Sequence, residues 1–159
     1  MTTPDRVAQY QAYNMAHRTL AKTRQVVMLY DGAIRFLQQA KEAIQENRVQ
    51  DRYNLLVKTS DIVIGLQGCI DFETGGDVAK ILFDFYASVD SRILTIHRTN
   101  STETCDQLVK ELKMMRDAWD QVDREMVEKQ GQGNTADSSA ITPAMNAPVT
   151  DAANVALSA

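Results

Sequence analysis

The side chains able to do chemistry are few and scattered. His17, His97, Cys69 and Cys105 are the candidate metal ligands and nucleophiles, and no two of them share the short spacings of a zinc site or a redox dithiol. A carboxylate-bridged metal site in a helical bundle calls for Glu-x-x-His. Leu94 stands where that glutamate would be, three residues before His97. A histidine near the C-terminal end of a helix is read more simply as a partner of the helix dipole. Gly75-Gly76 is not followed by the Lys-Ser/Thr that completes a phosphate loop. A histidine phosphotransfer bundle needs an exposed mid-helix histidine with a nearby lysine and glycine, and His97 is followed by Arg98-Thr99-Asn100-Ser101. The two cysteines read as small core residues in a reducing compartment. The sequence points to no catalytic residue, no metal and no cofactor, and to a protein that is not an enzyme.

These residues sit on long amphipathic stretches. In residues 25–44, QVVMLYDGAIRFLQQAKEAI, the apolar positions Val26, Tyr30, Ala33, Leu37, Ala40 and Ile44 alternate steps of four and three. That is one face of a helix, where a strand would need every second residue. Val27 and Ile34 widen the stripe on one side and Leu29 and Phe36 on the other. The arc then exceeds the roughly 100° of a single seam, so this helix packs against two or three others. It is predicted to start at a Thr23 N-cap and to end near Asn47, with Gly32 allowing close approach of a neighbour.

Asn47 and Gln50 have capping-box spacing and open a second helix to about Asp71. Its main stripe is Leu55, Ile62, Leu66 and Cys69, flanked by Leu56, Val63 and Ile70, with Tyr53, Val57 and Ile64 on the opposite face. The stretch Glu73-Thr74-Gly75-Gly76-Asp77 is a break, and Thr74 with Asp77 is expected to cap the next helix. That third helix, residues 77–98, carries Val78, Leu82, Phe85, Val89 and Ile96, and a second stripe at Phe83, Ala87 and Leu94. Asn100 with Glu103 is expected to open a fourth helix, residues 101–129, with Leu108, Leu112, Met115, Trp119, Val122 and Met126 on one face. Short connections make neighbours antiparallel, so the fold expected is all-α, an up-down-up-down four-helix bundle over residues 23–130. Residues 1–22, with Val7, Tyr10, Tyr13, Met15 and Leu20, read as a short N-terminal helical cap that cannot be stable alone. Residues 131–159, rich in Gly, Ser, Thr, Asn, Ala and Pro without an apolar period, read as a disordered tail.

The chain has 159 residues, 24% of them charged, with a net charge of −4. An acidic balance gives no reason to expect nucleic acid. No apolar run approaches the ~20 residues of a membrane span, and the N-terminus lacks the apolar core of a secretory signal. The expected setting is cytoplasmic, without membrane insertion.

The second stripes of helices two and three need a role of their own. On consecutive antiparallel helices they line one groove. It can cover the N-terminal segment, form a dimer contact, or receive an amphipathic partner helix.

Three blocks carry a resemblance: Met28-Leu29-Tyr30-Asp31-Gly32-Ala33-Ile34-Arg35-Phe36-Leu37; Ile70-Asp71-Phe72-Glu73-Thr74-Gly75-Gly76-Asp77-Val78-Ala79-Lys80, continuing to Tyr86 and Arg92; and Glu111-Leu112 through Arg116-Asp117-Ala118-Trp119. In this order and spacing, over about residues 10–125, the chain resembles the flagellar export chaperone family FliS. It departs from the family where Ala21-Lys22 replace the usual Ser-Pro or Thr-Pro before helix one. The family's N-terminal Ala-Tyr is matched by Ala12-Tyr13, with Tyr10 as the competing tyrosine. The resemblance implies an ATP-independent chaperone that holds the C-terminal segment of flagellin, prevents premature polymerisation, and docks at the cytoplasmic domain of the export gate. The stripes and the resemblance together make Tyr10, Tyr13, Tyr53, Val57, Ile64, Phe83, Ala87 and Leu94 the expected client contacts, on a monomer or weak dimer.

Overall fold

The structure, a computed structural model, describes the backbone of residues 4–133 and the side chains of Gln11 and of residues 22–129. Four helices follow one another: α1 (Pro4–Gln45), α2 (Val49–Gly68), α3 (Phe72–Thr99) and α4 (Thr102–Gly133). The described residues contain no strand.

Specific contacts give the directions. Lys41–Asp106, Asp31–Arg116 and Thr23–Asp123 descend α1 while they ascend α4. Tyr53–His97, Ser60–Asp90 and Gln67–Phe83 do the same for α2 and α3. Lys58 lies over the Phe36 ring between α1 and α2, and Arg92 pairs with Glu111 between α3 and α4. The bundle is therefore up-down-up-down. Helix α1 packs broadly on α2 and α4, while α3 packs on α2 and more narrowly on α4. Across the diagonal, the buried Tyr30 of α1 and Tyr86 of α3 meet hydroxyl to hydroxyl at 2.7 Å, so neither buried hydroxyl is left without a partner.

The stripe of α1 is the core. Tyr30, Ala33, Leu37 and Ala40 are fully buried, with Val26 and Ile44 packed at the ends. Val27 and Ile34 are buried as expected, whereas Leu29 is exposed. On α2 the buried set is Leu56, Thr59, Val63 and Leu66. Leu55 and Ile62 are only partly buried and Cys69 is exposed, so the inward face is rotated by about one residue from the expected stripe. On α3 the buried set is Ala79, Tyr86, Val89, Ile93 and Ile96, and Val78 faces outward.

The helix ends differ from expectation in instructive ways. Helix α1 does not start at Thr23 but runs through it. Pro4 sits at the first helical position, where its missing N–H costs nothing, and no glycine interrupts residues 5–31. Thr23 is buried and its hydroxyl donates to Asp123 Oδ1 at 2.7 Å, which holds α4 instead of capping α1. Asn47 is not an N-cap. Its φ of 55° is left-handed, and the Arg48 N–H returns to the Ala43 carbonyl at 2.8 Å, so it closes α1. Asn100 closes α3 in the same way, at φ 54°, and Ser101 Oγ accepts from the Thr104 N–H at 3.1 Å to open α4. Helix α3 starts at Phe72, earlier than expected. Asp71 caps it, accepting from the Glu73 and Thr74 N–H groups at 2.9 and 3.3 Å, and the Thr74/Asp77 cap is not formed. The glycine pair makes a kink inside α3, with Gly76 at φ 51°, ψ −130°. The side chains of residues 4–10 and 12–21 and all of residues 134–159 lie outside the described residues. So do the docking of Tyr10 and Tyr13 and the expected tail beyond Gly133, whereas residues 131–133, expected in that tail, continue α4.

The two thiols are set apart by burial. Cys69 is exposed and Cys105 fully buried. Burial, with the nearby Asp106 carboxylate second, pushes the Cys105 thiol from 9.0 up to about 11. A thiol reagent at neutral pH should label Cys69 quickly and Cys105 only after denaturant is added; equal labelling of both would contradict the core assignment. The raised value also has a sign. The unfolded thiol ionises first, so Cys105's contribution to stability is intact below pH 9 and falls away between pH 9.0 and about 11. Cys105→Ala should flatten the melting profile over that window.

Candidate binding groove

The contacts between α2 and α3 step seven residues along each helix, from Tyr53–His97 to Ser60–Asp90 to Gln67–Phe83. This register sets Val57 level with Ile93, one residue from Leu94, and Ile64 level with Tyr86, one residue from Ala87. Tyr53, Val57 and Leu94 line one cavity of about 390 Å3 together with Ser60, Asp61, Ile93 and His97. Ile64, Ala87 and Phe83 continue the same seam beyond the cavity. Tyr53 is 53% exposed, Ile64 53%, Phe83 41% and Leu94 60%, though all are apolar or aromatic. Single exposed apolar residues need no explanation, but a contiguous row along one interhelical seam marks a contact surface.

Each side chain is placed by the face opposite its own helix's core. Leu56, Val63 and Leu66 turn α2 inward, which leaves Ile64 facing out and Val57 half-buried at the seam. Ile93, Ile96 and Val89 turn α3 inward in the same way and leave Leu94 and Ala87 facing out. The Ser60 hydroxyl donates to Asp90, closing the polar seam beneath the apolar row.

The periodicity missed Ser60, Asp61 and above all His97, because a polar residue does not count in an apolar stripe. Its position three residues after Leu94 was the available signal. His97 stacks edge-on to Tyr53, with ring centroids 5.4 Å apart. Burial, aided by the positive Arg52, lowers its pKa, so at neutral pH it adds no cation to the groove. At the far end Phe72 meets Phe83 edge-on at 5.8 Å and extends the row onto the first turn of α3.

The described residues also form concave places elsewhere, two of which matter here. One, between α1 and α2, is polar and lined by Gln39, Glu42, Arg48, Asp51, Asn54, Leu55 and Lys58. The other, at the end of the bundle where α3 begins, is apolar, with a volume of about 300 Å3. Among the described residues no three His, Cys, Asp or Glu side chains gather in a way that could hold a metal ion. No helix there is long and apolar enough to cross a membrane.

The fold and its outward apolar seam are those of a helical bundle that offers a surface. The family described as flagellar protein FliS matches residues 6–126. The chain belongs to this family of flagellar secretion chaperones. Similar relatives include the flagellar secretion chaperone FliS of Vibrio cholerae, 34% identical over 97 residues, covering 61% of this chain and 71% of the relative. That of Campylobacter jejuni is 27% identical over 114 residues, covering 71% and 89%. A solved structure of a bacterial flagellar chaperone superposes with a TM-score of 0.60 at 21% identity, over 68% of this chain and 85% of the other, and supports the fold.

Proposed function

We propose that this chain binds the C-terminal segment of flagellin in the cytoplasm, keeps it from polymerising, and delivers it to the cytoplasmic domain of the flagellar export gate. The observation that carries this reading is the α2–α3 seam, where Tyr53, Val57 and Leu94 share a cavity and Ile64, Ala87 and Phe83 extend it. A segment that is unfolded when free loses affinity to its own ordering, and a long apolar contact offsets that loss. No bond is made or broken in holding such a segment, so the role needs no acid, base or nucleophile.

The groove supplies apolar area with a polar floor already satisfied by Ser60 and Asp90. An amphipathic helix can lay its apolar face on this row, with its polar edge toward Asp61 and His97. The free chain is a monomer or weak dimer in this reading. Pull-down with full-length flagellin and with flagellin lacking its C-terminal segment tests it, with only the full-length form expected to be retained. Equal retention of both would move the contact elsewhere on flagellin, and retention of neither would remove the function.

A further inference from the structure

The Gly75-Gly76 motif and the apolar cavity at the end of the bundle are not used by the groove, yet they meet each other. The cavity, about 300 Å3, is lined by Val26, Leu66, Leu82, Tyr86 and Trp119 on the bundle side. Cys69, Val78 and Ala79 flank it, and the turn between α2 and α3 closes it with Ile70, Asp71, Thr74 and Gly75.

That turn is a unit of its own. Asp71 binds the N–H groups of Glu73 and Thr74 and the Thr74 hydroxyl, and the Gly75 N–H returns to the Asp71 carbonyl at 3.0 Å. The Thr74 hydroxyl foremost, then the two backbone donors, hold the Asp71 carboxylate below its ordinary range. The cap is therefore charged and intact at neutral pH. Among the described residues no hydrogen bond or ion pair ties this turn to α1 or α4; Lys22 acts on it as a nearby charge.

The turn joins the body of α3 through Gly76, whose φ of 51° and ψ of −130° only glycine adopts readily. It rests directly on Ala79: a Cβ at Gly75 would lie 2.8 Å from the Ala79 Cβ. Phe72 on this turn touches Phe83 on the groove. One ring contact thus links the groove to the wall of the cavity.

We propose that residues 71–76 are a gate over the apolar cavity, hinged at Gly76. A chain bound along the α2–α3 seam displaces Phe72 from Phe83, and a bulky apolar side chain of that chain enters beneath the turn. The inference rests on the seam being the flagellin-binding surface. Continuity between seam and cavity through Phe72 and Phe83 selects the same bound chain as the occupant.

Trp119 lines the cavity and is the only tryptophan of the chain, which makes it the reporter. The probe is a labelled, tryptophan-free synthetic peptide of flagellin's C-terminal segment, with binding followed by anisotropy and Trp119 by acrylamide quenching. Saturating peptide should roughly halve the quenching constant of the full chain, because the cavity fills. Phe72→Ala should roughly double it in the free chain, because the gate loses its latch, and should leave the bound value unchanged. Phe72 is half-exposed, so this variant stays folded, which a thermal melt checks. A peptide that binds without altering Trp119 overturns the gate and leaves the groove standing. A free chain already as shielded as the complex means another segment of this chain fills the cavity, and also overturns it. A peptide that does not bind removes both readings.

Discussion

Leu37→Ala should lower the stability of the bundle by about 2–5 kcal/mol. Leu37 is fully buried midway along the α1 stripe, in the cluster with Tyr30, Leu56, Val89, Ile93 and Leu108. Its removal loses the transfer energy of the missing carbons and leaves a cavity that interlocked helices cannot close. Helix α1 contacts both α2 and α4, so the void opens where the packing of the bundle converges. Against a typical total of roughly 5–15 kcal/mol this is a large share. Urea unfolding checks it: the midpoint should fall with an unchanged slope. A change under about 1 kcal/mol would mean that Leu37 lies in a site able to collapse.

The core of α1 was legible because its buried residues are large and regularly spaced, and four of the six predicted stripe residues are fully buried. The same arithmetic slipped on α3. It took Val78, a large residue, over Ala79, a small one. The structure buries Ala79 because the glycine turn lies against it, too close for a Cβ at Gly75. Periodicity ranks residues by hydrophobicity, while packing chose this one for its smallness.

The helix ends were less legible for a different reason. Asparagine suits both an N-cap and a left-handed helix end, and Asn47 and Asn100 were each assigned to the wrong helix. The start of α1 was misplaced because Thr23 has cap chemistry. Its partner, Asp123, lies one hundred positions away, which local pattern cannot see. The groove was legible from its apolar members, which sit opposite well-defined core faces. Its polar members were not: His97 joins the seam through the ring of Tyr53, a contact set by the register of two helices.

Ile64→Asp and Leu94→Asp should each leave the fold intact and weaken flagellin binding. The side chains are 53% and 60% exposed, and neither belongs to the buried cluster. Their replacement should therefore change stability by no more than about 0.5 kcal/mol, as is usual for surface positions. In the proposed complex the same positions face an apolar helix, and a carboxylate there loses water without gaining a partner. An unpaired polar group so buried costs roughly 1–3 kcal/mol on mutational scales, and a charge costs more. The affinity should then fall about tenfold or further for each variant. Leu94 lines the cavity with Tyr53 and Val57 while Ile64 lies beyond it on the seam, so the larger loss is expected for Leu94→Asp. Calorimetry with flagellin and thermal melting on the same preparations separate the two effects. If either variant unfolds the bundle, that residue belongs to the core and the outward stripe is misassigned. If both fold and bind flagellin with unchanged affinity, the client lies on another face, and the α2–α3 seam is left to contacts between copies of this chain.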